Sequence, residues 1–105
     1  MRRGEVWWAE LPEPAGRRPV VLLTRDSGIG ARQLVSVAIV TRTVRHIPTE
    51  VSLGAADGMP KPCVVNADTI QTIPKTTLVN RVTVLSKLRM QELARAVEFA
   101  LALGE

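Results

Sequence analysis

Arg18-Pro19, followed at once by Val20-Val21-Leu22-Leu23 and then Thr24, sets a permanently charged fork at the mouth of an apolar run. Proline fixes φ and donates no backbone hydrogen bond, so it suits the first residue of a strand rather than its middle. Arg18 is thereby expected at a strand edge, where a guanidinium held by rigid backbone grips a phosphate through two parallel hydrogen bonds. A second chemical candidate is Thr41, which ends the run Val37-Ala38-Ile39-Val40 and is followed by Arg42, Thr43, Arg45 and His46. Its hydroxyl meets the same phosphate if the two strand ends adjoin, although strand propensity alone explains an isolated threonine in such a run. By the same standard Arg42, Arg45 and His46 are a basic cluster that, as a charge run, reads as a solvated face.

Cutting RNA without a metal requires a group to take the 2′-OH proton, charge to stabilise the crowded phosphorus centre, and an acid for the departing 5′-oxygen. A two-histidine solution is excluded, because His46 is the only histidine. The acids are dispersed, with no DxD, HExxH or other tight ligand set, so neither a metal nor another cofactor is expected. If the chain is a nuclease, arginine and hydroxyl groups carry the work. Arginine suits phosphorane stabilisation and the leaving oxygen, but with a pKa above about 12 it is a poor base.

Trp7 and Trp8 are neighbours on a predicted strand, so their side chains point to opposite faces and cannot share one core. One of them is expected at or near the surface. Phe99 is the only other aromatic residue, and an exposed indole beside arginines either stacks an unpaired base or covers a subunit contact.

These groups need a scaffold, and 105 residues suffice for a single domain, residues 1–105, with one core. Lysine and arginine total 14 against 10 acids, a net charge of +4, and 11 of the 14 are arginine, which favours a polyanionic partner and nucleic acid first. The lone Cys63 reads as a small core residue in a reducing interior, since it can close no intrachain disulfide. Met1-Arg2-Arg3 leads into Gly4 and Glu5 rather than the apolar segment of a leader, and no stretch has the about 20 apolar residues of a membrane helix. A cytoplasmic, soluble protein with no membrane partner is expected.

Short runs rich in valine, isoleucine and threonine, separated by glycine, proline and charge, predict strands over residues 4–11, 19–24, 34–41, 49–53, 63–73 and 79–85. Residues 12–17, 26–32 and 58–62 are expected as connections. From Ser86, a predicted N-cap, the period changes to about 3.6, with Leu88, Leu93, Val97, Ala100 and Leu101 on one stripe and Gly104 as the stop. The expected fold is mainly β with a C-terminal helix: a small antiparallel sheet curled into a partly open barrel, the helix covering an open face.

At these residues the chain resembles the MazF/PemK family of toxin endoribonucleases. Arg3-Gly4-Glu5-Val6-Trp7-Trp8-Ala9-Glu10-Leu11 is similar to the family's opening RGDVxxxDL strand, and Gly16-Arg17-Arg18-Pro19-Val20-Val21-Leu22 to its G-x-RPVxV segment. Val37-Ala38-Ile39-Val40-Thr41 matches the strand ending in the family's functional threonine, and Ala67-Asp68-Thr69-Ile70-Gln71-Thr72-Ile73 resembles its EQIRTI strand. The resemblance implies a homodimeric SH3-like barrel of the MazF/Kid/CcdB type. It also implies a metal-independent toxin that cuts single-stranded RNA (mRNA, tRNA or rRNA) at a short sequence, leaving a 2′,3′-cyclic phosphate and a 5′-hydroxyl and so arresting translation and growth. By it Arg18 becomes the catalytic arginine, acid and base, and Thr41 the hydroxyl that holds the scissile phosphate. Asp68 falls where the family has a base-reading Glu and Thr69 where it has Gln. Trp8, Arg17, Arg42, Thr43, Arg45, His46, Asp68 and Thr69 are the candidate RNA-binding residues. A cognate antitoxin with an acidic, disordered tail is the implied protein partner, lying in the same groove. The first loop, 12–17, is shorter than the family's GSEQxGxRP loop and lacks its Glu-Gln pair, which leaves the groove more open. Two other functions fit a barrel of this kind: a non-cleaving toxin that poisons DNA gyrase, and a non-catalytic RNA-binding protein.

Overall fold

The chain, described over residues 1–104 by a computed structural model, forms six strands and two helices. In order these are β1 (Glu5–Glu10), β2 (Arg17–Leu22), α1 (Asp26–Ala31), β3 (Leu34–Thr41), β4 (Glu50–Leu53), β5 (Cys63–Pro74), β6 (Leu78–Val84) and α2 (Lys87–Leu101), with short 3₁₀ turns at Ala55–Asp57 and Lys75–Thr77. The strands make one antiparallel sheet in the order β4-β5-β3-β2-β1-β6. This is the expected mainly-β fold, a curled half-barrel closed on one side by the terminal helix. Curling is local: Ala38 pairs with Ile70 but Ile39 with Asn66, so Ala67, Asp68 and Thr69 are pushed out of the β3–β5 ladder. Such extra residues bend a strand and increase its twist.

The apolar runs at 20–23 and 37–40 do not alternate because the central strands are covered on both faces. Val21, Ala38 and Val40 face a cluster with Val6, Val65 and Leu93, while Val20, Leu22, Val37 and Ile39 face a second with Ala9, Ile29 and Ile73. Two clusters therefore replace the single core expected from length.

Four expectations change. Residues 26–32 are not a plain connection but carry α1, whose buried Ile29 packs into the second cluster. Gly28 is there for space, since a Cβ would stand 2.9 Å from Thr24 Cγ2, and Asp26 accepts the Arg3 backbone N–H at 2.7 Å. Strand β2 begins at Arg17, two residues before Pro19, and ends at Leu22. Proline is tolerated third in the strand because pairing with β3 starts only at Val20, so no ladder bond is lost on that side. The buried face of α2 is Leu93 and Ala96 with Met90, Val97 and Ala100, whereas Leu88 is 63% and Leu101 54% exposed. At about 100° per residue, Leu88 and Leu101 lie well round the helix from Leu93. The helix stops at Ala102, which takes the left-handed conformation (φ 56), two residues before Gly104. Its start is as predicted, with Ser86 Oγ accepting the Arg89 N–H at 3.2 Å.

Candidate functional site

β2 and β3 pair from Leu22↔Val37 to Val20↔Ile39 and then part. Continued two residues further, that register sets Arg18 across from Thr41, and both line a cavity of about 410 Å³. The two strand ends therefore adjoin. Neighbours of both side-chain parities line it, Arg17 with Arg18 and Val40 with Thr41, so the cavity sits at the ends of the strands rather than over one face. Arg42 and Thr43 complete the β3 side, and Trp8 and Pro19 the β1–β2 side.

Local structure holds these groups without neutralising them. Arg18 Nε donates to the carbonyl of Ala15 at 3.1 Å, which anchors the guanidinium at one nitrogen and leaves its terminal nitrogens for another acceptor. Thr41 Oγ1 accepts the Thr43 N–H at 3.2 Å, so its own proton is available to donate. Arg17 lies over the Trp8 ring, 5.2 Å from its centroid, a cation–π contact between two residues of the cavity wall. Trp7 and Trp8 are both half-buried, on opposite faces. Trp7 packs on the second cluster and gives its indole N–H to Glu5 at 2.8 Å. Burial works to raise the Glu5 carboxyl, but that bond, the Arg2 backbone and nearby positive charge hold it below its ordinary value.

The far wall was not foreseen. It comes from the β4–β5 connection, Met59, Pro60 and Lys61, and from Cys63 at the start of β5. The legible signal was Lys61 between Pro60 and Pro62, a cation on stiffened backbone of the same kind as Arg18-Pro19. Cys63 is the core residue it was read as, and burial pushes its thiol above the ordinary value, so it offers no thiolate at neutral pH. The wall thus carries Arg17, Arg18, Arg42 and Lys61 with no aspartate, glutamate or histidine among the lining residues. None of the four forms a salt bridge among the described residues. The chemistry this permits is the binding of an anion and stabilisation of charge on it.

The remaining sequence candidates lie outside the cavity lining. Arg45 and His46 sit in the β3–β4 loop, where both backbone N–H groups bond the Glu50 carboxylate and His46 is left-handed (φ 54). Asp68 and Thr69 are in the β5 bulge, with Asp68 accepting the Thr49 hydroxyl at 2.6 Å. No group of three His, Cys, Asp or Glu side chains among the described residues is placed to hold a metal ion.

Residues 2–101 match the family model described as PemK-like, MazF-like toxin of type II toxin-antitoxin system. The chain belongs to the PemK/MazF toxin family. Among relatives, a Mycobacterium tuberculosis protein named "Probable endoribonuclease MazF5" is 41% identical over 99 residues, 93% of this chain and 90% of that one. Among solved structures, the M. tuberculosis toxin MazF-mt6 superposes with a TM-score of 0.86 at 35% identity, covering 93% of this chain and 96% of its own. A mycobacterial endoribonuclease in complex with its cognate antitoxin gives a TM-score of 0.89 at 27% identity, covering 98% and 96%. Similarity to PemK/MazF toxins therefore runs through every element that lines the cavity, β1, β2, β3, the β4–β5 connection and β5.

Proposed function

We propose that this PemK/MazF toxin is an endoribonuclease that cuts single-stranded RNA without a metal, at the cavity shared by Arg18 and Thr41. The observation that carries the reading is that these two side chains, 23 residues apart, reach one cavity whose charged groups are all cationic. In the proposed reaction the ribose 2′-oxygen attacks the adjacent phosphorus and the bond to the 5′-oxygen breaks. The 2′-proton passes to water and a proton from water is returned to the 5′-oxygen, which gives a 2′,3′-cyclic phosphate and a 5′-hydroxyl, while Arg18 stays a charged guanidinium throughout. The guanidinium, free at its terminal nitrogens, bonds the phosphoryl oxygens as negative charge grows on them, and the Thr41 hydroxyl donates to the same group. Trp8 stacks a neighbouring base, Arg17 and Arg42 hold the backbone, and Thr43, Arg45, His46, Asp68 and Thr69 contact the strand beyond the cleavage point.

Names of the relatives support the partners. The mycobacterial endoribonuclease above is held by its cognate antitoxin, and here an acidic disordered tail is the complement of the cationic wall. Leu88 and Phe99, exposed on one side of α2, favour a homodimer. No described helix is long and apolar enough to cross a membrane, and cytoplasmic action follows from an RNA substrate. The test is incubation of purified protein with a mixed RNA pool in chelator, followed by mapping of new 5′-hydroxyl ends. Recurrent ends at one short sequence, absent with Arg18→Ala, are expected. Intact RNA with folded protein overturns the reading, and stalled gyrase in that case identifies the non-cleaving toxin.

A further inference from the structure

Lys61 is held unusually firmly for an exposed lysine. Met59, two residues before it, is 6% exposed and belongs to the α2-facing cluster, and Cys63, two after, is buried in the same cluster. Pro60 and Pro62 stiffen the residues between them. The connection is braced further back: Asp57 receives the Arg89 guanidinium of α2 at 2.9 Å and the Gly54 N–H at 2.8 Å, while Thr83 on β6 donates to the Asp57 carbonyl at 3.0 Å. Gly58 then turns the chain at φ +84, where a Cβ would strike Thr83 Oγ1. A loop needing only to join two strands does not require such fastening.

Sheet register says where this lysine stands relative to the reacting atoms. Thr41 pairs with Val64, and Arg18, beyond the last β2–β3 pair, shares the cavity with Thr41. Lys61, three residues before Val64, lines the same cavity from the β4–β5 connection rather than from the paired strands. From that wall it suits the phosphate next along a bound strand, with the scissile one held between Arg18 and Thr41.

On the reading that this cavity takes RNA, we propose that Lys61 is a substrate-contacting residue that grips the phosphodiester flanking the scissile one, and so positions the strand for Arg18 and Thr41. As a point charge held in the ground state and transition state alike, it contributes to binding rather than to the chemical step. The test pairs cleavage kinetics of Lys61→Gln with binding of a 2′-O-methyl RNA oligomer that cannot be cut. Loss of one charge-assisted contact is expected to raise KM about tenfold with kcat retained. The slope of log affinity against log salt is expected to become shallower by about 0.7, the value for one phosphate on a single strand. Lys61→Arg restores most of both, and Lys87→Gln, which removes the same charge at the start of α2, does not reproduce the slope change. A fall in kcat at unchanged KM overturns the proposal by placing Lys61 on the reacting atoms. An unchanged salt slope overturns it as well. Should the native protein cut no RNA, the ribonuclease reading fails, while the uncleavable strand still decides the Lys61 contact.

Discussion

Arginine is used in two opposite ways in this molecule. Beneath α2, Arg89 makes two ion pairs, with Asp57 at 2.9 Å and Glu92 at 2.8 Å, and the Asp57 side chain is 8% exposed. Each charge there is matched, which raises the Arg89 pKa and holds Asp57 below its usual range, chiefly through their mutual hydrogen bond. At the cavity, Arg17, Arg18 and Arg42 join Lys61 with no acid on the wall. The first arrangement consumes its hydrogen-bonding capacity in holding the β4–β5 connection to the helix. In the second that capacity is kept for a ligand, at the cost of like charges held close together. A cluster of this kind does nothing for the free protein's stability, which is the pattern of a binding site maintained against the fold's own preference.

That contrast breaks if the two regions respond alike to mutation. Arg18→Ala carries the largest expected effect, a loss of cleavage of about a thousandfold or more, with Tm not lowered because one repelling charge has gone. Parallel RNA cleavage and thermal melts check both halves. Asp57→Ala acts the other way: it leaves Arg89 without its main partner and costs about 3 kcal/mol, seen as a Tm lower by roughly 10 °C or more. Thr41→Val removes one donor to a charged oxygen and is expected to slow cleavage about tenfold with little change in Tm, read from single-turnover rates. The smallest effect is in acid. Because the folded Asp57 pKa lies below its ordinary 3.8, its contribution is complete above that pH, declines as pH falls below it, and is gone once pH drops through the folded value. Denaturant midpoints from about pH 5 downward should fall less steeply in Asp57→Asn than in the native protein, with Glu5 leaving a residual slope of the same sign.

How much could be read beforehand divides along the same line. The strands were legible because β-branched runs bounded by glycine and proline have few alternatives, and Ser86 announced the helix start because a hydroxyl there satisfies an N–H the helix cannot. Helix α1 was hidden by Gly28 and Gly30, whose low helical propensity is outweighed by the burial of Ile29 and by the close approach of Gly28 to Thr24. A period of about 3.6 sets Leu88 and Leu101 on the apolar stripe, yet at about 100° per residue they stand about 140° and 80° round α2 from Leu93 and are exposed. At the site, Arg18 and Thr41 stood out by the residues beside them. Lys61 is flanked by prolines as Arg18 is by one, but those neighbours do not tell that the chain returns there to the ends of β2 and β3.

The order of residues alone therefore determined the basic charge, the run of strands ending in a helix, and the two positions where a charge precedes one apolar run and a hydroxyl ends another. These are properties of neighbouring residues, set by propensity and local sterics. Which side chains share a cavity was decided by the tertiary structure, through the β2–β3 register, the bulge in β5 and the bracing of the β4–β5 connection by Asp57 and Arg89. Those depend on contacts between residues tens of positions apart, whose free energy exists only once the sheet has closed on both of its cores.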